Sequence, residues 1–236
     1  MSALAYAVAA ALANVAGAAA VTWRAGWSVR ALETLIALAA GFMVSVAMLD
    51  MLPHALATGG STAAAVALAG FLAVHLTQHT FAAHFHFGEE THAVTRAVSV
   101  SALIGLMLHT VVDGVAIASA TQAGAALGTL VFVAIALHKL PEGLAIASLF
   151  LAAGATRARA FLAAAALGVA TVAGALITPH VPALSRWGLA LSAGVTLYVG
   201  ASNLIPEFQS KRRWMLQAGF FAGVGLYALA RLVVEG

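Results

Sequence analysis

Two eleven-residue stretches carry most of the chemistry in this sequence: HTVVDGVAIAS, from His109 to Ser119, and HKLPEGLAIAS, from His138 to Ser148. Six of the eleven positions are identical, and each stretch puts a histidine four residues before a carboxylate and a glycine directly after it. On a helix, residues four apart share a face about one turn apart. His109 therefore projects with Asp113, and His138 with Glu142. If the two faces oppose each other, two imidazoles and two carboxylates surround one point, a four-ligand set suited to a divalent cation such as zinc. The chain has no cysteine. Disulfides and thiolate ligands are excluded, and a metal site must use imidazole and oxygen.

The elements that must carry these side chains are apolar. Of 236 residues, 63% are hydrophobic and 8% charged, against roughly 25% charged in soluble domains. Mean hydropathy is +1.01. This composition predicts an all-α polytopic membrane protein. A spanning helix needs ~20 mostly apolar residues, and eight stretches qualify: about 2–22, 32–57, 61–83, 97–121, 126–152, 159–180, 187–207 and 214–234. The first lacks the basic residues that open a signal sequence and is long enough to span. GGST at 59–62 and TQAG at 121–124 read as turns. Residues 84–96 form the one distinctive loop, HFHFGEETHAVTR. Loops after odd-numbered spans hold eight Lys or Arg residues, whereas the other side holds Arg186 and Arg231. By the positive-inside rule both termini face outward and the histidine-bearing loop faces the cytoplasm. The net charge of +3 sits in loops and implies no nucleic acid. The abundance of alanine suggests a bacterial source, hence the inner membrane.

Both motifs fall in the middle of spans, where a carboxylate costs ~2.5–3.5 kcal/mol on insertion scales. Two carboxylates at matching depth, each with a histidine one turn before it, exceed what a self-bonded packing pair accounts for. Gly114 and Gly143, followed by alternating alanines, let the helices approach closely. Pro141 cannot donate to the carbonyl of Leu137, which predicts a kink beside His138. A weaker echo links GFMVSVAMLDMLPHA, from Gly41, with GVTLYVGASNLIPEF, from Gly194. It pairs Asp50 with Asn203 and His54 with Glu207. In each echo one member runs outward and the other inward. That is the pattern of an inverted-repeat transporter, here 3+2+3.

The two central motifs resemble those of the ZIP family of divalent-metal transporters. HTVVDG fits the family's fourth-span pattern with Thr110 in its variable place, and HKLPEG fits the fifth-span pattern. The resemblance implies eight spans, outward termini and a transport site whose primary ligands are His109, Asp113, His138 and Glu142. It also implies a homodimer and an elevator-like movement of spans one, four, five and six. The positions after each histidine, Thr110 and Lys139, are those that help hold a second metal in some members. An ammonium repels a cation and cannot ligate while protonated. Lys139 is therefore expected to stand where a second cation's charge would sit, so that one metal binds.

Asp50 and His54 read as a cation entrance, Asn203 and Glu207 as an exit. His75 and His79 share a face of the third span and are expected to line the inner pathway. His84, His86 and His92 resemble the family's cytoplasmic metal-capturing loop. The expected function is uptake of a divalent ion, zinc first, with Fe2+, Mn2+, Co2+ and Cd2+ using similar ligands. No catalytic residue and no organic cofactor are expected. An intramembrane metal-dependent hydrolase would use the same ligand types with an open position for water. A selective channel would share the site without a slow conformational step.

Overall fold

The computed structural model describes residues 1–23, 29–80, 96–206 and 213–235. Among them there are helices and no strands. We number the helices α1 (Ala3–Trp23), α2 (Val29–Val46), α3 (Leu52–Thr80), α4 (Arg96–Ala123), α5 (Ala125–Ala152), α6 (Arg157–Ile177), α7 (Pro182–Tyr198) and α8 (Trp214–Glu235). Alanine and leucine, which lose little or no side-chain freedom in a helix, dominate them. Six helical stretches are long and apolar enough to cross a membrane.

Glycines punctuate the chain. Gly60, at φ 55°, breaks α3. Gly124 alone separates α4 from α5. Gly154, at φ 77°, ends α5, with Ala155 N–H donating to Phe150 O and Gly154 N–H to Leu151 O, the Schellman closure that a left-handed glycine permits. Thr156 then caps α6 by accepting from Arg159 N–H at 3.3 Å. α5 stays helical through Pro141.

Two π-helical segments interrupt the regularity. Ala47–Met51 joins α2 to α3, and Val199–Leu204 continues α7. In the first, Leu52 N–H donates to Ala47 O; in the second, Ile205 N–H donates to Gly200 O. Each donor directly precedes a proline, Pro53 or Pro206. The echo seen between these stretches in the sequence is thus a likeness of backbone as well.

The helices form two bundles. α1, α4, α5 and α6 pack together, as do α2–α8 and α3–α7, and the bundles meet chiefly where α4 touches α7 and α2 touches α5. Four seams use glycines in one repeated pattern. A Cβ on Gly17 would collide with Leu140 O, and one on Gly143 with Asn14 O. Gly114 faces Thr171 O and Gly174 faces Val111 O. Gly41 and Gly223 meet Phe220 O and Leu38 O, and Gly70 and Gly194 meet Leu191 O and Ala67 O. In every seam each glycine lies over the carbonyl three residues before the other's glycine. Backbone contact of this kind is what small residues permit where the surroundings are as apolar as the side chains.

Candidate metal centre

α4 and α5 form a hairpin with Gly124 at its tip, so residues equally far from Gly124 lie at one level. His109 is 15 residues before it and His138 is 14 after it. The histidines therefore meet across the hairpin, their ring centroids 6.5 Å apart. Asp113 sits one turn nearer the tip and Glu142 one turn farther. Each histidine consequently faces the other helix's carboxylate: His109 Nε2 lies 3.1 Å from Glu142 Oε2, and His138 Nε2 3.4 Å from Asp113 Oδ2. One ligand atom from each of the four lies within 4.8 Å of the others, and all four residues are buried.

The second ring nitrogens differ. His138 Nδ1 is 3.2 Å from Ala134 O. A hydrogen on Nδ1 satisfies that carbonyl and leaves the buried Nε2, which has no hydrogen-bond partner, with a bare lone pair aimed at Asp113. This is how an outer partner fixes the tautomer of a metal-binding histidine. His109 Nδ1 is likewise buried without a partner.

Lys139 lies at the centre and is 0% exposed. Its Nζ is 2.8 Å from Asp113 Oδ2 and 2.9 Å from each oxygen of Glu142. The ammonium thus bridges the same two carboxylate oxygens that face the imidazoles. It also donates to Thr110 Oγ1 at 3.2 Å, and Thr110 donates to Glu142 Oε1 at 3.4 Å. The two residues that follow the histidines are therefore both inside the cluster.

Asn14, on α1, belongs to the same cluster, and the motif spacing gave no hint of it. Its Nδ2 donates to Glu142 Oε1 at 3.0 Å, and it is fully buried. The trace it leaves in the sequence is a lone asparagine three residues before Gly17 in a largely apolar helix.

The remaining pathway residues lie apart from this cluster. Asp50 sits in the first π-segment, where Tyr227 OH donates to its Oδ2 at 2.6 Å and Arg231 lies 3.6 Å from its Oδ1. His54 is exposed in the first turn of α3, and Asn203 is half-buried in the second π-segment. His75 meets Tyr198 OH through Nδ1 at 3.4 Å. For His79 only the backbone is described, and Glu207, His84, His86 and His92 lie outside the described residues.

A family model described as ZIP Zinc transporter matches residues 88–231, more than half of the chain and both central motifs. No curated protein matches the sequence.

Proposed function

The chain belongs to the ZIP zinc transporter family, and from that premise we propose that it carries a divalent cation, zinc first, from outside the cell to the cytoplasm through one site between α4 and α5. It is an integral membrane protein of a metal-transporting family. The observation that carries the finer reading is the buried set of His109, Asp113, His138 and Glu142 within 4.8 Å. Two imidazoles and two carboxylates suit zinc, and iron, manganese, cobalt and cadmium use similar ligands.

The proposed topology has eight spans with both termini extracytoplasmic, in the bacterial inner membrane. The apolar stretch Glu33–Gln78 has 46 residues. As one rod it would measure about 69 Å, more than twice the ~30 Å hydrocarbon core, so the break at Gly60 divides it into two spans. The 3+2+3 repeat is supported by the seams. Exchanging α1 with α6, α2 with α7, α3 with α8 and α4 with α5 turns each of the four glycine seams into another and each π-segment into the other. The level of the histidines, 14 or 15 residues from Gly124, lies about 21 Å from the hairpin tip, half of a bilayer ~40–45 Å thick with its headgroups.

Lys139 argues for one ion. Asp113, Glu142 and the ammonium sum to one negative charge. One divalent ion leaves one positive charge, whereas a second would leave three in a buried site. A bound ion must also share or displace the carboxylate lone pairs that accept from Lys139. Alternating access then follows from movement of α1, α4, α5 and α6 against the other bundle, in a homodimer. The outer mouth is formed by His54 and Asp50, and the inner one by Asn203, Glu207, His75 and His79. His84, His86 and His92 capture the ion on the cytoplasmic side.

Zinc uptake into proteoliposomes tests the reading, with Glu142→Ala and Lys139→Ala beside the wild type. Uptake by wild type that falls to the level of empty liposomes in a folded Glu142→Ala supports it. Wild type that moves none of the five metals overturns it, and assays of lipid or peptide hydrolysis then test the competing chemistry.

A further inference from the structure

Glu142 is the one carboxylate of the cluster that a third helix holds. Its two oxygens have separate surroundings. Oε2 faces His109 Nε2 at 3.1 Å and His138 Nε2 at 3.9 Å. Oε1 receives Asn14 Nδ2 at 3.0 Å and the Thr110 hydroxyl at 3.4 Å. Lys139 touches both oxygens at 2.9 Å. We infer that Asn14 is a positioning residue that pins Oε1, so that Glu142 offers a divalent cation Oε2 alone. The inference rests on the transport-site reading and names a further residue for it.

The backbone explains why so short a side chain reaches. Gly143, next to Glu142, abuts the carbonyl of Asn14, and Gly17 abuts that of Leu140. α1 is therefore closest to α5 at the level of Glu142. A Cβ at position 143 would collide with Asn14 O and with Asn14 Oδ1, so the glycine makes room for the amide itself. The amide orientation follows from its partner: Nδ2 must face the carboxylate, because Oδ1 would repel it. Oδ1 is left buried without a partner. A buried acceptor left unmet is destabilising, and such a group persists where its other end is needed.

The matching seam sharpens the point. Gly114 follows Asp113 and abuts the carbonyl of Thr171 on α6, so Thr171 stands to Asp113 as Asn14 stands to Glu142. The Thr171 hydroxyl, however, donates to its own helix at Leu167 O, at 3.3 Å. Asp113 thus has no such anchor, although the backbones correspond. Among the described residues, the cage thus has one carboxylate held by a third helix and one held from within the α4–α5 pair.

Loss of a group that orients a metal ligand typically weakens binding 10–100-fold. The test uses Co2+ as probe with the full-length protein in detergent, titrating affinity and recording the visible d–d spectrum. Asn14→Leu and Asn14→Ala should each bind Co2+ about 10–100-fold more weakly. Both should shift the d–d bands toward higher coordination, because a released Glu142 can offer both oxygens. Thr171→Val, at the corresponding seam position, should leave affinity and spectrum unchanged. The spectrum separates positioning from mere packing, since a packing defect lowers melting temperature without changing the ligand field. Two results overturn the inference while sparing the site: variants that bind within two-fold of wild type with its spectrum, or a Thr171→Val that changes both as Asn14→Leu does. Wild type that binds no Co2+ or Zn2+ overturns the site reading and the inference together.

Discussion

Lys139 shows how far single side chains govern this molecule. Its ammonium is the only Lys or Arg group that the described residues bring against Asp113 and Glu142. Lys139→Met removes it and leaves two buried carboxylates side by side. Breaking one partner out of a buried ionic group costs about 3–5 kcal/mol. The metal-free variant should melt well below wild type in detergent, and zinc should raise its melting temperature more than it raises that of wild type, because the ion then replaces the missing charge. Equal melting curves without metal would contradict the bridging role. At this scale the sequence was informative where residues recur at a fixed spacing. The histidine four before a carboxylate, written twice, predicts a shared face, and the structure brings all four groups together. Asn14 has no such spacing. Only the approach of α1 to α5, a contact between residues 128 apart in sequence, puts its amide on Glu142.

The elements are positioned by glycine seams, and these make a graded prediction. At Gly143 and Gly114 an added methyl meets backbone of the neighbouring helix, which cannot rotate away. Gly143→Ala and Gly114→Ala should each lower stability by about 1–3 kcal/mol through overpacking. Gly225 has nothing within 4 Å of where a Cβ would stand. Gly225→Ala should be neutral or slightly stabilising, since alanine favours a helix over glycine by roughly 0.8–1 kcal/mol. Thermal melts of the three variants check the order, and a destabilised Gly225→Ala with a neutral Gly143→Ala would contradict it. Helices and the breaks at Gly60 and Gly124 were legible from apolar length and turn residues. The π-segments were not. Ala47–Met51 is made largely of helix formers, and Gly200 and Asn203 in Val199–Leu204 weaken an α-helix without calling for a π-turn; the prolines that follow are a signal only in hindsight, through the shared donor just before each.

At the scale of the whole molecule, the two bundles meet where α4 packs on α7 and α2 on α5, and one buried apolar cluster, with Ile117, Leu130 and Ile135 from one side and Phe42, Met43 and Tyr198 from the other, draws on both. Ser119 on α4 faces Gly188 on α7, and a Cβ built at Gly188 lies 3.5 Å from that of Ser119. Disulfides take Cβ separations of about 3.5–4.5 Å, and the chain has no native cysteine to compete. Ser119→Cys with Gly188→Cys should therefore cross-link on oxidation. If transport requires one bundle to move against the other, the oxidised protein binds zinc and does not carry it, and reduction restores uptake. Cross-linked protein that transports at the reduced rate would contradict that movement. The division into bundles was not legible from composition or periodicity, because a helix apolar all round does not announce which neighbour it prefers. The clue to it came from the family resemblance, which implied that spans one, four, five and six move together.

The central claim is that His109, Asp113, His138 and Glu142 together hold one transported ion. X-ray absorption at the zinc edge, with the number of zinc ions bound per chain measured on the same purified sample, tests it most directly. One zinc per chain is expected, with two imidazole nitrogens and two carboxylate oxygens at about 2.0–2.2 Å, and loss of that signature in Asp113→Ala and Glu142→Ala. Two zinc ions per chain at the centre, or a zinc site that keeps its ligands in both variants, would contradict it.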